Sequence, residues 1–317
     1  MKKFLISLIL FTFFTSIIYV IGIVCFGRYA PKAIRLNLPH VMGGTGYSYT
    51  RFHEAEADKN VDVLVLGSSH AYRGYDPRIF NKANWKMFNL GSSAQTPVQT
   101  EYLANKYLDH FKPKLVILDV YPVLFKSDGV ESLIDLLSNS KLDQGLLDLS
   151  LQNNDVRIYN TLVYRYCKDF LNFDKDYKEK PHLENGDSYI KGGFVESRSK
   201  FKSKNNYDPS SYTFLPSQTS AFANIIDKLK KRNIPYIILQ SPIPQKKYNS
   251  ITNNAETDSL FSQYGTYRNA NVALKLPDSC FIDDSHLNQS GVDIYNNYVI
   301  NILKEHINFS NSKVAVK

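Results

Sequence analysis

The chain has 317 residues, 43% of them hydrophobic and 21% charged, which excludes collagen-like and globally disordered proteins and leaves room for one substantial α/β core or two small ones. The formal net charge of +8 suits an anionic neighbour such as lipid, acidic polysaccharide or nucleic acid. With no RNA-binding aromatic signature, zinc-finger spacing or basic heptad region, nucleic acid is set aside as a partner.

In chain order, residues 1–3 read as a short cytoplasmic tail and residues 4–26, FLISLILFTFFTSIIYVIGIVCF, as a transmembrane helix. The stretch carries no charge and is long enough to cross a hydrocarbon core of about 30 Å. It lacks the short apolar core and small-residue cleavage site of a secretory signal, and Val24 is too bulky before Cys25 for a lipoprotein site, so a retained signal anchor is expected. Lys2 and Lys3 on one flank and Arg28, Lys32 and Arg35 on the other leave the orientation open on charge alone.

Residues 27–60, with Pro31, Pro39, Gly43, Gly44, Gly46 and the polar run HEAEADKN, read as a linker with little core of its own. His53, Glu54, Glu56 and Asp58 lack the second histidine of a helical zinc motif, so solvated side chains are expected there rather than a metal site, and no cofactor is expected anywhere.

From Val61 strands and helices alternate. VDVLVLG from Val61, KMFNL at 86–90, KLVILDV at 114–120 and IPYIILQ at 234–240 read as strands, CFID at 280–283 as a short final strand, and Val292 to Ile307 as the last helix. Thr96-Pro97-Val98-Gln99 has the spacing of a capping box opening a helix whose Val98, Tyr102, Leu103, Tyr107 and Phe111 share a stripe. The alternation predicts an α/β fold of flavodoxin-like, three-layer type around a central parallel sheet, spanning 61–306 and followed by a tail at 307–317. Residues 126–214 break the rhythm with two helical stretches and a polar, Tyr-rich run, and read as an insertion over the sheet's active edge. Its basic run Arg198, Lys200, Lys202 and Lys204 reads as a solvated face. Cys25, Cys167 and Cys280 are too scattered for a disulfide framework or zinc site, although one bridge between Cys167 and Cys280 stays open.

Ligands of open parallel sheets gather beyond the carboxyl ends of the strands. Ser68, Ser69 and His70 follow the first strand, Gly91-Ser92-Ser93 the second, and Asp283-Asp284-Ser285-His286 the expected last one, so three distant segments can meet at one crevice. A serine hydroxyl needs a base to act as a nucleophile, and the base needs a carboxylate to fix its tautomer. His286 and Asp283 supply those types, three residues apart. Backbone N–H groups of Ser69 and Gly91 are candidates for holding an oxyanion. His70 is adjacent in sequence to Ser69 and reads as local support, and Arg73 as a surface ion pair.

LGSSHAYRG, NLGSS and FIDDSHLNQSG followed by a terminal helix together resemble the SGNH/GDSL hydrolase superfamily, and in particular its membrane-anchored bacterial members associated with polysaccharide O-acylation and deacylation. The resemblance implies Ser69 as nucleophile, Asp283 and His286 as the acid and base of the triad, and Ser69 and Gly91 as oxyanion donors. Ser68 stands where the family motif has aspartate, and the asparagine of its third block is absent after KLVILDVYP; Tyr121 or Ser92 are the alternatives for a further donor. It further implies an esterase or acyltransferase in the cell membrane with its domain outside the cytoplasm. Its substrates would be acylated glycans or other esters, and a membrane-bound acyltransferase is a further candidate partner.

Overall fold

A computed structural model describes residues 1–43, 46–183, 186–199 and 206–314, with side chains described as far as residue 305. Five parallel strands form the central sheet: β1 (Val63–Leu66), β2 (Met87–Asn89), β3 (Leu115–Asp119), β6 (Tyr236–Gln240) and β7 (Tyr267–Asn269), while β4 (Ser188–Ile190) and β5 (Phe194–Glu196) make a separate antiparallel hairpin. The order β2-β1-β3-β6-β7 is the flavodoxin-like one, which reverses direction between β1 and β3 and opens a crevice at their carboxyl ends. The register is direct: Leu64 lies beside Phe88 and Val116, and Leu118 beside Ile238.

Side chains alternate between the two faces of each strand. Leu64, Leu66, Phe88, Val116, Leu118 and Ile238 pack under helices Pro97–Phe111 and Pro216–Lys231, whereas Val63, Val65, Met87, Ile117, Ile237 and Leu239 pack with Phe80 and the terminal helix Gln289–Val314. These faces give the three layers expected. Asp62, the polar break in the first apolar run, accepts the Lys86 N–H at 2.8 Å and pairs with Lys114 at 2.8 Å, tying the starts of three strands together.

Several expectations are corrected. The fifth strand is Tyr267–Asn269, not 280–283; Phe281 makes only an isolated antiparallel bridge to Leu287. The last helix begins at Gln289 and its backbone runs to Val314, into the segment expected as a tail. Thr96 caps without accepting a backbone N–H; its hydroxyl donates instead to Gln99 Oε1. Within the expected linker, Ser48–Ala57 is a helix whose Phe52 and Ala55 join the main core. Its carboxylates are clasps rather than solvated groups: Glu54 accepts from Gly192 N–H (2.9 Å) and Glu56 from the Tyr107 hydroxyl (2.8 Å). Helices Val130–Asn139, Gln144–Leu151 and Val156–Phe170 of the insertion extend the core on one sheet face through Leu133, Leu136, Leu146 and Ile158, and the first of them also meets the loop after β2, where the Ser93 hydroxyl donates to Glu131 Oε1 at 3.3 Å. All three cysteines are free thiols, so Cys167 and Cys280 do not pair. Arg198 pairs with Glu196 at 2.7 Å; Lys200, Lys202 and Lys204 lie outside the described residues.

The apolar N-terminal segment is one helix, Lys2–Tyr29, long enough to cross a bilayer and almost wholly exposed over its apolar length. A soluble core helix of that composition would be buried. Its last third packs on the domain: Ile23 is buried with Leu38 and Tyr164, and the Tyr19 hydroxyl donates to Asn160 Oδ1.

Candidate active site

The turn after β1 divides its two serines between two tasks. Ser68, buried, caps the short helix Ser69–Gly74 by accepting the His70 N–H at 3.3 Å. Ser69 is thereby left with its hydroxyl turned away from the cap, 2.8 Å from His286 Nε2. Strand β2 delivers Gly91 against this turn so closely that a Cβ there would stand 2.4 Å from the Ser68 carbonyl oxygen, and no side chain fits.

The histidine arrives on a loop closed at its base. Phe281 and Leu287 bridge, Ile282 N–H donates to His286 O at 2.9 Å, and Asn288 N–H to Cys280 O at 2.9 Å. Asn288, buried, adds side-chain bonds to the carbonyls of Ser279 (2.8 Å) and Phe281 (3.2 Å), which accounts for the asparagine that follows the His-Leu pair. Inside the loop, Asp283 Oδ1 accepts the backbone N–H groups of Ser285 and His286, each at 2.8 Å, leaving Oδ2 to meet His286 Nδ1 at 2.8 Å. Partial burial would raise the Asp283 carboxyl, but the hydrogen bonds and charge of His286 and the two backbone donors override it and hold it well below the usual carboxylate range. Ser285 Oγ stands 3.0 Å from Asp283 Oδ1 and 3.1 Å from His286 Nδ1, a second polar contact to the ring that sequence reasoning passed over.

Ser69, His286 and Asp283 thus form one hydrogen-bonded chain whose serine and histidine are 217 residues apart, and the His286 side chain remains 20% exposed, within reach of a ligand. Such a chain can move a hydroxyl proton onto an imidazole whose tautomer is fixed from behind.

His70 is not in the chain. Its ring stacks on Tyr121 (centroids 3.8 Å apart) and stands 5.3 Å from that of His286. Burial first, then the charges of His286 and Lys247, push its pKa well below the ordinary value, so it is a neutral wall of the site. Tyr121 forms the next part of that wall, and Lys247 with Asp284 (3.6 Å) part of the rim.

The expected oxyanion donors fare differently. Gly91 N–H donates to Asn89 Oδ1 at 2.9 Å and is occupied, while Asn89 Nδ2 donates to the Ala71 carbonyl at 2.6 Å. Ser92 Oγ, fully buried, donates to Gln95 Oε1 at 2.9 Å. Among the described residues, the Ser69 N–H at the start of its helix and the Tyr121 hydroxyl make no hydrogen bond. Arg73, expected at the surface, is instead buried in a two-point pair with Asp187 (2.7 and 3.2 Å). Among the described residues no group of three or more His, Cys, Asp or Glu is placed to hold a metal.

Behind the site, Asp119 at the end of β3 is buried and accepts hydrogen bonds from the Tyr75 hydroxyl (2.8 Å) and from Ser241. Burial pushes its carboxyl up to about 7 against the lowering effect of those two donors. Because the folded value lies above the unfolded one, the folded chain holds the extra proton, and stability is greatest at acid pH and declines as pH rises to about 7. Asp119→Asn keeps an acceptor for both hydroxyls and cannot ionise. Urea unfolding at pH 5 and pH 8 should show the wild type losing up to roughly 3 kcal/mol more than the variant across that interval.

No family model and no curated protein matches this chain. Among solved structures it is similar to a Bacteroides fragilis protein provisionally named an acylhydrolase, with 11% identity and a TM-score of 0.39, over 82% of this chain and 94% of the other. A likeness that distant says nothing about the chemistry of the site.

Proposed function

We propose that the protein is a membrane-anchored serine esterase or O-acyltransferase of SGNH type. In this reading it acts on O-acyl groups, O-acetyl in the first instance, of cell-surface glycans, from a domain outside the cytoplasm. One observation carries the reading: the 2.8 Å contacts from Ser69 Oγ to His286 Nε2 and from His286 Nδ1 to Asp283 Oδ2, at the carboxyl ends of a parallel sheet. Ser69 Oγ attacks the acyl carbon as His286 Nε2 takes its proton, and the negative charge on the carbonyl oxygen is met by the Ser69 N–H. Collapse of the tetrahedral adduct expels the sugar oxygen, which takes the proton back from His286, and the acyl group stays on Ser69. Water, or a second sugar hydroxyl, then repeats the sequence in reverse. The glycan rests on the resemblance of the three sequence blocks, and the choice between water and sugar as acceptor is the same chemistry at the same residues.

A second reading, a glycan-binding or assembly component with a degenerate site, is favoured by the Gly91 N–H being bonded to Asn89 rather than free. A fluorophosphonate probe separates the two. The enzyme reading expects stoichiometric labelling of the wild type that is lost in Ser69→Ala and His286→Ala. Labelling that is absent from the wild type, or unchanged in Ser69→Ala, rejects it in favour of the second.

A further inference from the structure

The anchor helix meets the domain before its apolar stretch ends. If its apolar stretch enters the hydrocarbon near Phe4, then at 1.5 Å per residue it has climbed about 22 Å at Tyr19, short of the roughly 30 Å needed to cross. Yet domain contacts begin at Tyr19, with Asn160, and continue through Ile23 to Gly27. At Gly27 the approach is so tight that a Cβ would stand 2.3 Å from the Tyr164 ring. Helix Val156–Phe170 therefore lies beside the last apolar turns of the anchor, and a bilayer entered near Phe4 would bring acyl chain to that depth.

The flank it presents there fits that medium. Val20, Ile21, Val24 and Cys25 of the anchor face Tyr166, Cys167, Phe170 and Leu171 across an open groove of about 510 Å³. Phe170 is 85% exposed and Leu171 47%; in water this would be a costly apolar patch continuous with an apolar helix. Just above, Arg28 pairs with Asp174 and Lys32 is exposed, while Tyr29 is also exposed, the polar and aromatic collar of a membrane interface.

We propose, resting on the anchor reading above, that the domain is seated in the bilayer rather than held off it: the Tyr166–Leu171 flank is immersed in the domain-side leaflet, and a lipid acyl chain occupies the groove. Seating fixes the height and tilt of the Ser69 crevice above the membrane, which a flexible linker would leave free.

The test uses full-length protein with Trp85→Phe, removing the single tryptophan, reconstituted in phosphatidylcholine/phosphatidylglycerol vesicles with or without brominated acyl chains. Single tryptophans replace Phe11 in the anchor, Phe170 in the flank and Val272, an exposed apolar residue elsewhere on the domain. Seating expects bromolipid quenching of Phe170→Trp comparable with Phe11→Trp, strongest for bromines near the headgroup end, and acrylamide quenching of Val272→Trp alone. Quenching of Phe11→Trp by bromolipid but of Phe170→Trp by acrylamide leaves the anchor standing and overturns the seating. Protection of Phe170→Trp from both quenchers means that protein, such as a second copy, covers the flank, and equally overturns it. A Phe11→Trp insensitive to bromolipid removes the anchor reading itself.

Discussion

Ser69→Ala is expected to lower turnover of a small acetyl ester by about 10⁴-fold or more, with His286→Ala as severe and the double variant no worse than either. Residues that act as one unit lose their function together, and Ser69 and His286 share a single proton through the 2.8 Å contact between them. The fold should survive both changes. Ser69 is only partly buried, and the capping bond of its helix belongs to Ser68, so thermal unfolding of Ser69→Ala should match the wild type. Asp283 should matter less than its partners. Its side chain is 45% exposed, and Ser285 Oγ also reaches His286 Nδ1 at 3.1 Å. Asp283→Ala is therefore expected to lose less than Ser69→Ala, with the remaining activity falling further on adding Ser285→Ala. Steady-state hydrolysis of an acetyl ester across the five variants measures these effects. An Asp283→Ala defect equal to that of Ser69→Ala would mean that Ser285 does not hold the ring.

The parts of this site that were legible in the sequence are those where backbone conformation and chemistry coincide. A buried strand ending in Gly-Ser-Ser-His places its hydroxyls at a strand end whatever the rest of the chain does. The Asp-x-x-His spacing is likewise local, since Asp283 turns back on its own loop to accept the His286 N–H before it meets the ring. What escaped reading depends on partners distant in sequence. Whether the Gly91 N–H is free is decided by the side chain of Asn89, which is held in turn by the Ala71 carbonyl. The strand Tyr267–Asn269 escaped because it is a three-residue edge with exposed positions, and its Tyr-Arg-Asn carries no apolar run. The helix Ser48–Ala57 reads as linker because much of what it buries is polar. Arg51 is fully buried, donating through Nε to the Gly193 carbonyl (2.9 Å) and through Nη2 to the Gly46 carbonyl (2.6 Å) and lying over the Tyr72 ring. Hydrophobic periodicity is blind to such a residue.

The same blindness hid Arg73, and its replacement carries the largest stability effect expected of a side chain beside the site. Arg73 lies one helical turn beyond Ser69, and its pair with Asp187 is almost fully out of water, with 9% and 2% of the two side chains exposed. Removing one member leaves the other's charge buried, which costs about 3–5 kcal/mol where measured; at roughly 2–4 °C per kcal/mol for domains of 150–250 residues, Arg73→Met should melt about 6–20 °C below the wild type. Replacing both members with apolar residues of similar size, Arg73→Met with Asp187→Leu, should recover most of that loss, because keeping a carboxylate buried after its guanidinium is gone, rather than the missing attraction, is the main cost. Activity should respond differently from stability. The segment that carries Asp187 also meets the end of β2, where Asn89 N–H donates to Gly192 O at 2.9 Å, and the start of the terminal helix, where Gln289 N–H donates to Ser197 O at 2.9 Å. Through Arg73 it therefore clamps the serine-bearing helix to the histidine-bearing loop. The double variant keeps the packing but loses the directional tie, so it is expected to regain its melting temperature while kcat stays depressed with KM little changed. Recovery of both together would reduce Arg73 to a packing role, and recovery of neither would place the cost in the bonds themselves rather than in the buried carboxylate.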